Sequence, residues 1–278
     1  MRRSDKVFGI KVRENKMIYR SLLFVPARKK MLNKIVELHA EAYIIDLEDS
    51  ISKDKKDEAL DALCDFLESN RDIKNIYIRV NNDRLFIEMK RIREYSNVGI
   101  MLPKFEDSKQ YYQFEKDLLN HRVIALVETP LGVINALSIA SCSWVEALAF
   151  GAEDYTTAMG MKNDTRLLLY AKSALLVAAK ANGKAIYDTP SLQISDENLF
   201  KMEVQNAVDM GFDGKMAIHP KQIEDIHKMF SGMSIKELMR IIEAYDNAGS
   251  AVTVIEGKVY EKMHIERMRK LIHEMEES

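Results

Sequence analysis

The stretch Val123-Ile-Ala-Leu-Val-Glu128-Thr-Pro130 carries the pattern that decides the fold. Its apolar run is rich in β-branched residues and predicts a buried strand, and the Thr-Pro pair predicts the N-cap and first position of a following helix. The stretch Ala147-Leu-Ala-Phe-Gly-Ala-Glu-Asp154 repeats the arrangement of an apolar strand that runs into acidic residues. Such strands are typical of a parallel sheet in an α/β protein, where ligands bind at the carboxyl ends of the strands.

The same alternation of strand and helix extends from residue 21 to about residue 230. The predicted strands are Ser21–Val25, Ala42–Asp46, Asn75–Val80, Val98–Leu102, Val123–Val127, Val145–Phe150, Lys184–Tyr187 and Asp213–Ile218. Helical periodicity is clearest in the intervening segments Lys29–His39, Asp54–Ser69, Asp107–Leu119 and Thr165–Ala181. This number of strands closes a (β/α)8 TIM barrel, and the 278 residues suit one. An open doubly wound sheet is the alternative, but no GxGxxG follows the first strand.

The two ends of the chain differ from this alternation. Residues 1–20 form a basic arm without the apolar core of a signal peptide, and we expect a solvated arm or a subunit contact. Residues 234–278 predict a helix, a short hairpin around Glu256-Gly257 and an amphipathic helix over Ile265 to Met275. Because no Pro/Gly/Ser-rich linker precedes this appendage, residues 21–278 are predicted to be one TIM-barrel domain.

Composition excludes several classes of function. The net charge of −2 predicts neither nucleic acid nor a membrane surface as a partner, and 47% hydrophobic residues suffice for a full core. The longest apolar region, residues 123–151, is interrupted by Glu128 and Pro130 and cannot span a bilayer as one helix. Cys64 and Cys142 lack metal-ligand spacing, and we expect reduced cysteines in a cytoplasmic protein.

Glu128 and Asp154 form the candidate metal site. Thr129 and Pro130 already provide the start of the next helix, so Glu128 is not needed as a cap and can point into the barrel mouth. Asp154 could itself cap the turn that follows it. Two carboxylates on neighbouring strands can hold one hard divalent cation, and oxygen ligands favour Mg²⁺, or Mn²⁺, over zinc.

A second acidic group ends the second strand, where Asp46, Glu48 and Asp49 stand close together. Their mutual repulsion makes a purely structural role costly without a cation or an arginine nearby. Glu48 and Asp49 are therefore candidates for proton transfer or for an outer metal shell, although Asp49 or Ser50 could instead cap a helix. Arg79, at the end of the third strand, can bind a substrate carboxylate, form an ion pair with this group, or do both.

Two further strand ends carry weaker candidates. Lys104 raises the alternative of a Schiff-base aldolase, although nothing in the sequence depresses its pKa. His219 precedes a proline after the eighth strand, and it can equally contact substrate or make a local hydrogen bond. Lys215, Asp188 and Glu203 are interpreted as support for loops.

Seven motifs occur in order at these strand ends, and together they resemble one family. They are Ser21-Leu-Leu-Phe-Val-Pro26, Asp46-Leu-Glu-Asp49, Arg79-Val-Asn81, Leu102-Pro-Lys104, Glu128-Thr-Pro130, Phe150-Gly-Ala-Glu-Asp154, and Gly211-Phe-Asp-Gly-Lys215 with His219-Pro220. The series resembles the citrate lyase β-subunit family and its stand-alone relatives in the HpcH/HpaI aldolase superfamily, over residues 20 to 275. Each motif alone is weak, but the ordered series is specific.

The resemblance implies a TIM barrel with Mg²⁺ held by Glu128 and Asp154. It also implies that Arg79 binds carboxylates of oxaloacetate or its parent acid, helped by backbone amides near Gly151 and Ala152. The expected reaction is cleavage of a citryl or related 3-hydroxyacyl thioester into oxaloacetate, or a related 2-keto acid, and an acetyl thioester. Coenzyme A or an acyl carrier protein would carry the acyl group, other citrate lyase subunits are possible partners, and a homotrimer is expected.

Two alternatives stay open at this point. One is an Mg²⁺-dependent pyruvate-type aldolase that acts on free acids, and the other is a non-catalytic subunit of a multi-subunit lyase. The chain also departs from the family pattern. Ala27 and Arg28 follow Pro26 where glycine and often asparagine are usual, and Glu261 stands where the closing hairpin usually has aspartate. A long C-terminal extension is lacking, which makes malyl-type thioester hydrolysis less expected.

Overall fold

The computed structural model describes residues 18–161, 165–232 and 235–276. The chain divides into two compact units, Met1–Phe230 and Ser231–Ser278, which are described separately. The predicted basic arm lies outside the described residues up to residue 17. That the second unit belongs to the same domain as the first stays a prediction.

The first unit contains a closed barrel of parallel strands in sequential order. The strands are β1 (Ser21–Pro26), β2 (Ala42–Asp46), β3 (Ile76–Arg79), β4 (Gly99–Leu102), β5 (Arg122–Val127), β6 (Ala147–Phe150), β7 (Ala185–Asp188) and β8 (Gly214–Ala217). β8 pairs with β1, where Leu22 lies opposite Met216, and this pairing closes the barrel. The predicted (β/α)8 architecture is confirmed, and the strand bounds differ from the prediction by at most two residues.

Helices follow the strands around the barrel. They are α1 (Lys29–Leu32), α2 (Lys56–Ser69), α3 (Leu85–Ile92), α4 (Glu115–Leu118), α5 (Pro130–Ile134), α6 (Ala136–Ser141), α7 (Ala152–Ala158), α8 (Thr165–Ala181), α9 (Glu197–Met210) and α10 (Ile223–Phe230). Short 3₁₀ helices occupy Ile35–Glu37, Lys53–Lys55, Asn82–Arg84, Ser108–Phe114 and Pro220–Gln222.

Two predicted helices are divided in the structure. The segment predicted as one helix over Asp107–Leu119 begins as a long 3₁₀ helix, with the Asp107 side chain as its cap. Tyr111 and Phe114 are buried three residues apart, and this spacing puts them on one side of a 3₁₀ helix, which has three residues per turn. The segment predicted as Lys29–His39 is likewise split into α1 and a 3₁₀ turn.

The strands separate two hydrophobic clusters. One cluster fills the barrel interior with side chains such as Leu22, Ile44, Tyr77 and Met216. The other lies between the strands and the surrounding helices. Because side chains alternate along a strand, residues two positions beyond the last interior side chain point into the barrel mouth. This alternation takes Glu128, two residues after Leu126, to the mouth.

The second unit consists of α11 (Ile235–Ala248), β9 (Val252–Ile255), β10 (Lys258–Glu261) and α12 (Lys262–Glu276). The strands form an antiparallel hairpin whose turn residues, Glu256 and Gly257, both have positive φ, at 51° and 77°. Positive φ at both turn residues is typical of a type I′ turn. The predicted helix, hairpin and helix are therefore present in this unit. Among the described helices of both units, we find none with the length and hydropathy to cross a membrane.

Candidate active site at the barrel mouth

A cavity of about 410 Å³ opens at the carboxyl ends of the barrel strands. Most of the predicted site residues line it, namely Asp49, Arg79, Glu128, Gly151, Ala152 and Asp154. Apolar side chains of β1, β8 and the loop after β7 form much of the remaining wall. Glu48 and His219 do not line this cavity among the described residues. The predicted site therefore comes together at the mouth of the barrel, with two of its members outside the cavity wall.

Glu128 follows β5 and is only 3% exposed. As predicted, Thr129 caps the next helix by accepting a hydrogen bond from the Gly132 amide, and Pro130 is the first residue of that helix. The Lys104 amide donates to Oε1 of Glu128 at 2.9 Å. Lys104 has a φ of 50°, in the left-handed region that costs energy for a residue with a side chain. The backbone at Lys104 is thus held in an unusual conformation next to this carboxylate.

The environment of Glu128 opposes its ionisation. Burial is the main cause, and repulsion by Glu48 and Asp154 adds to it, so the pKa of Glu128 rises to about 8 from an ordinary value of 4.5. A raised carboxyl pKa at a cavity wall is a common property of functional sites. A bound cation would favour the charged form of this group.

Gly151 is required by the position of Glu128. A Cβ on Gly151 would overlap Oε2 and Cβ of Glu128, which fill the space beside it. The Gly151 amide donates to the Val127 carbonyl at 3.1 Å, and the Ala152 amide donates to Oγ1 of Thr189 at 3.1 Å. A substrate could use either amide only by replacing one of these hydrogen bonds, so the predicted substrate contact through Gly151 and Ala152 stays a prediction.

We predict that Gly151→Ala weakens binding of Mg²⁺ about tenfold or more, because the added methyl group displaces the Glu128 carboxylate. Isothermal titration calorimetry with Mg²⁺ measures the effect. Gly160→Ala is the control, since no atom of the described residues lies within 4 Å of a Cβ at Gly160 and its φ of +63° tests backbone strain without the overlap. Equal losses in the two variants would show that general destabilisation, and not the position of Glu128, explains the change.

Asp154 is the third residue of α7 and does not cap it, since the N-cap is Gly151. The Lys104 ammonium lies 3.5 Å from Oδ2 of Asp154 and 3.1 Å from Oε1 of Glu48. Burial alone would lower the pKa of Lys104, but the carboxylates of Glu48, Asp154 and Glu128 outweigh burial and raise it. A raised pKa keeps the amine protonated, so the geometry disfavours the Schiff-base alternative, which needs a neutral amine.

Arg79 contacts all three acids of the second cluster. Its Nε and Nη2 donate to the two carboxylate oxygens of Asp46 at 2.7 and 2.8 Å. Its Nη1 lies 3.2 Å from Oε2 of Glu48 and 3.0 Å from Oδ2 of Asp49. Burial opposes the charge of Asp46, but Arg79 outweighs burial and lowers the pKa of Asp46. Arg79 thus forms the predicted ion pairs, and a substrate carboxylate would have to compete for it with Asp49, the exposed member of the cluster.

The predicted acids differ in their accessibility. Asp49 lines the cavity with a side chain that is 60% exposed, whereas the Glu48 side chain is 13% exposed and lies between Arg79 and Lys104. Burial is the main reason that the pKa of Glu48 is raised. Neither Asp49 nor Ser50 caps a helix, since the N-cap of the next turn is Ser52. Asp49 is therefore the better placed group for contact with a ligand.

Sequence reasoning missed the residues that hold the loop after β2. Lys56 donates to the Leu47 carbonyl at 2.6 Å and to the Asn81 side chain at 2.8 Å. Asn81 also donates to the Leu47 carbonyl, and its amide groups bind the buried Glu88 carboxylate. The motif Arg79-Val-Asn81 contained one of these residues, but nothing in the sequence marked Lys56 or Glu88 as its partners.

His219 makes a local hydrogen bond in the structure. Its Nδ1 accepts from the Lys221 amide at 3.2 Å, and Gln222 completes a capping box by accepting from the His219 amide. This arrangement matches the second of the two sequence interpretations. The predicted contact of His219 with substrate stays a prediction.

The donor set at the mouth fits magnesium. Mg²⁺ is usually bound by one or two carboxylates and keeps several positions for water or substrate oxygens. Glu128 and Asp154 offer such a pair of carboxylates at the mouth, and a bound cation would offset both the burial and the repulsion by Glu48 and Asp154 that raise the pKa of Glu128. No cluster of three or more His, Cys, Asp or Glu ligands occurs in the described part of the chain, so a site that encloses a metal with protein ligands alone is not found there.

The raised pKa of Glu128 predicts how stability depends on pH without metal. A carboxyl whose pKa is higher in the folded protein favours folding below its unfolded value of about 4.5, and this contribution is lost as the pH rises to about 8. In EDTA, we expect Glu128→Gln to lose this part of the pH dependence and to become more stable than wild type toward pH 8, by up to a few kcal/mol. Urea unfolding at several pH values tests this. The same dependence of the free energy of unfolding on pH in the two proteins would contradict it.

The comparisons with known proteins agree with this fold. The family model described as HpcH/HpaI aldolase/citrate lyase matches residues 20–220. The chain belongs to the HpcH/HpaI aldolase/citrate lyase family.

Individual relatives come from two kinds of enzyme. The chain is 29% identical to the citrate lyase subunit beta of Leuconostoc mesenteroides subsp. cremoris, over 93% of each chain. It is 32% identical to a (3S)-malyl-CoA thioesterase of Cereibacter sphaeroides, over 93% of this chain and 95% of that protein. The solved structure of the M. tuberculosis citrate lyase beta subunit, complexed with oxaloacetate and magnesium, has 28% identity and a TM-score of 0.67, covering 77% of this chain and 98% of that one.

Proposed function

We propose that this protein is an Mg²⁺-dependent carbon–carbon lyase. Its substrate is a citryl or related 3-hydroxyacyl thioester, and its products are oxaloacetate, or a related 2-keto acid, and an acetyl thioester. The observation that carries the proposal is the buried Glu128 carboxylate, which stands with Asp154 and Arg79 on one cavity at the barrel mouth. The magnesium and oxaloacetate bound by the 28% identical M. tuberculosis relative support it.

The charges at the mouth suit a 2-keto acid. Glu128 and Asp154 would hold Mg²⁺, which as a Lewis acid stabilises negative charge on the hydroxyl oxygen that becomes the keto oxygen. Arg79 would bind a substrate carboxylate in exchange for its contact with Asp49, while its two hydrogen bonds to Asp46 keep the guanidinium in place. The hydrogen bonds of Nε and Nη2 to Asp46 thus orient Nη1, the nitrogen that contacts Asp49, for binding of the substrate carboxylate.

We assign proton transfer to Asp49, because it is the exposed carboxylate of the cluster and lines the cavity. Its carboxylate takes the proton of the substrate hydroxyl. The bond between the hydroxyl-bearing carbon and the neighbouring CH2 then breaks, and its electron pair moves onto the thioester as an enolate. The protonated Asp49 returns the proton to the enolate carbon and so releases the acetyl thioester.

A panel of substrates tests the proposed reaction. Citryl, citramalyl and malyl thioesters of coenzyme A are incubated with the protein and Mg²⁺, and both the keto acid and the acetyl thioester are measured. We expect the two products in equal amounts, with no activity in EDTA. Full activity in EDTA, or activity on the free acids only, would contradict the proposal, and the second result would favour the free-acid aldolase.

A thioesterase is the second candidate, because the 32% identical relative is a (3S)-malyl-CoA thioesterase. The same panel separates the two reactions. Hydrolysis yields the intact hydroxy acid and the thiol, whereas cleavage yields a keto acid and leaves the thioester bond in place. Failure of every thioester, with retained binding of Mg²⁺ and oxaloacetate, would favour a non-catalytic subunit that acts with other citrate lyase subunits.

A further inference from the structure

The helix that carries Asp154 cannot cap itself. The first amide groups of a helix have no partners within it and usually bind the side chain of the N-cap residue. The N-cap of α7 is Gly151, which has no side chain, and the Glu128 carboxylate occupies the space that a side chain would need. The proposed metal ligand Glu128 thus excludes a cap at the start of the helix that carries the other proposed ligand.

Thr189, from another strand, accepts the hydrogen bond of one of these unpartnered amides. Its Oγ1 accepts the hydrogen bond of the Ala152 amide, the first amide of α7, at 3.1 Å. Thr189 follows β7 directly and lies 37 positions after Ala152 in the sequence. It also lines the cavity. The start of α7 is therefore bound to the loop after β7.

A buried ion cluster holds this loop. The Lys215 ammonium donates to the Thr189 carbonyl and to Oδ2 of Asp188, both at 2.7 Å. Lys172 of α8 lies 2.8 Å from the other oxygen of Asp188. The side chains of Asp188 and Lys215 are 0% and 1% exposed. A buried cluster of this kind is weak evidence for stability, but the hydrogen bond from Lys215 to the Thr189 carbonyl ties the main chain of this loop to β8.

We propose that Lys215 and Thr189 are positioning residues for Asp154. Lys215 holds the main chain of Thr189, the Thr189 hydroxyl caps α7, and α7 presents Asp154 to the cavity. This role rests on the proposed function, since Asp154 is a proposed metal ligand. It also gives the motif Gly211-Phe-Asp-Gly-Lys215 a task beside the site, although Lys215 itself does not line the cavity in the described residues.

Two threonine variants separate the hydroxyl from the shape of the side chain. Thr189→Val removes the acceptor at nearly constant volume, and Thr189→Ser retains it. Ile92→Val is the control, because it trims a buried side chain of α3, away from this cluster. The measurements are hydrogen–deuterium exchange of the peptide over residues 151–158 and the dissociation constant of Mg²⁺ from calorimetry.

For Thr189→Val, we expect amide exchange in this peptide about five- to tenfold faster than in wild type, and Mg²⁺ binding about tenfold weaker. Thr189→Ser and Ile92→Val should behave as wild type in both measurements. Lys215→Met should reproduce the changes of Thr189→Val if it folds. If it does not fold, the comparison of Thr189→Val with Thr189→Ser tests the positioning role.

The outcomes distinguish this inference from the proposed function. Unchanged exchange and unchanged Mg²⁺ binding in Thr189→Val would overturn the positioning role, whatever the loss of overall stability. Faster exchange with unchanged Mg²⁺ affinity would overturn the link from Thr189 to Asp154. If the wild-type protein binds no Mg²⁺, the proposed function fails, and the exchange measurement still decides whether Thr189 caps α7.

Discussion

Glu128→Gln should lower kcat/KM for thioester cleavage by about 10³-fold or more, measured at an Mg²⁺ concentration that saturates the wild-type protein. The substitution keeps the size of the side chain and its ability to accept from the Lys104 amide. It removes the charge that a hard divalent cation requires. Lewis-acid stabilisation is worth several kcal/mol in a transition state, and each 1.4 kcal/mol is a factor of ten in rate. Steady-state assays of the keto acid product measure the loss.

Glu153→Gln is the matched control for this experiment. Glu153 lies on the same cavity, next to Asp154 in sequence, and is exposed. It receives the same chemical change, but no part in the reaction is assigned to it. We expect its activity to stay within about threefold of wild type. A similar loss in both variants would mean that the overall charge of the cavity, and not a metal ligand, explains the effect.

Arg79→Ala should lower the free energy of unfolding by about 3–5 kcal/mol, the usual result of removing one partner of a buried ion pair. The side chains of Arg79 and Asp46 are only 11% and 4% exposed, and Glu48 lies in the same cluster. Without the guanidinium, Asp46 would be left charged and buried. Urea unfolding at pH 7 measures the change. Arg79→Lys should lose much of the stability too, since one ammonium cannot replace a planar group that contacts three acids.

The loss of stability in Arg79→Ala should also depend on pH. The lowered pKa of Asp46 means that its contribution to stability is present above the unfolded value of about 4 and is lost as the pH falls below it. The difference between wild type and Arg79→Ala should therefore shrink toward acid pH. Arg71→Ala is the control, because Arg71 and Glu68 form an ion pair with exposures of 61% and 58%. Such surface pairs contribute at most about 1 kcal/mol, and an equally small loss for Arg79→Ala would contradict the prediction.

The barrel and the position of Glu128 could be predicted because their signals are local. Each strand is a short apolar run bounded by turn residues, and parallel order follows from the alternation with helices. The cap at Thr129 is readable from three consecutive residues, and it correctly left Glu128 free to face the mouth. The division of the segment Asp107–Leu119 was not predicted, because helical and 3₁₀ patterns share a spacing of three residues.

The contacts within the site could not be predicted because they join distant parts of the chain. Arg79 appeared in the sequence as one partner for an acidic cluster, but its contact with all three acids depends on the path of the loop after β2. The position of the Lys104 ammonium between Glu48 and Asp154 likewise depends on a left-handed backbone conformation at a residue other than glycine. Such conformations have little signature in a single sequence.

The claim that Glu128 and Asp154 hold a divalent cation is tested most directly by diffraction from crystals grown with Mn²⁺, collected at the manganese absorption edge. Mn²⁺ accepts the same oxygen ligands as Mg²⁺ and has a strong anomalous signal. We predict one anomalous peak at the barrel mouth within coordination distance of both carboxylates, and no peak there in Glu128→Gln. An empty mouth in wild-type crystals, or a peak bound to other residues, would contradict the account.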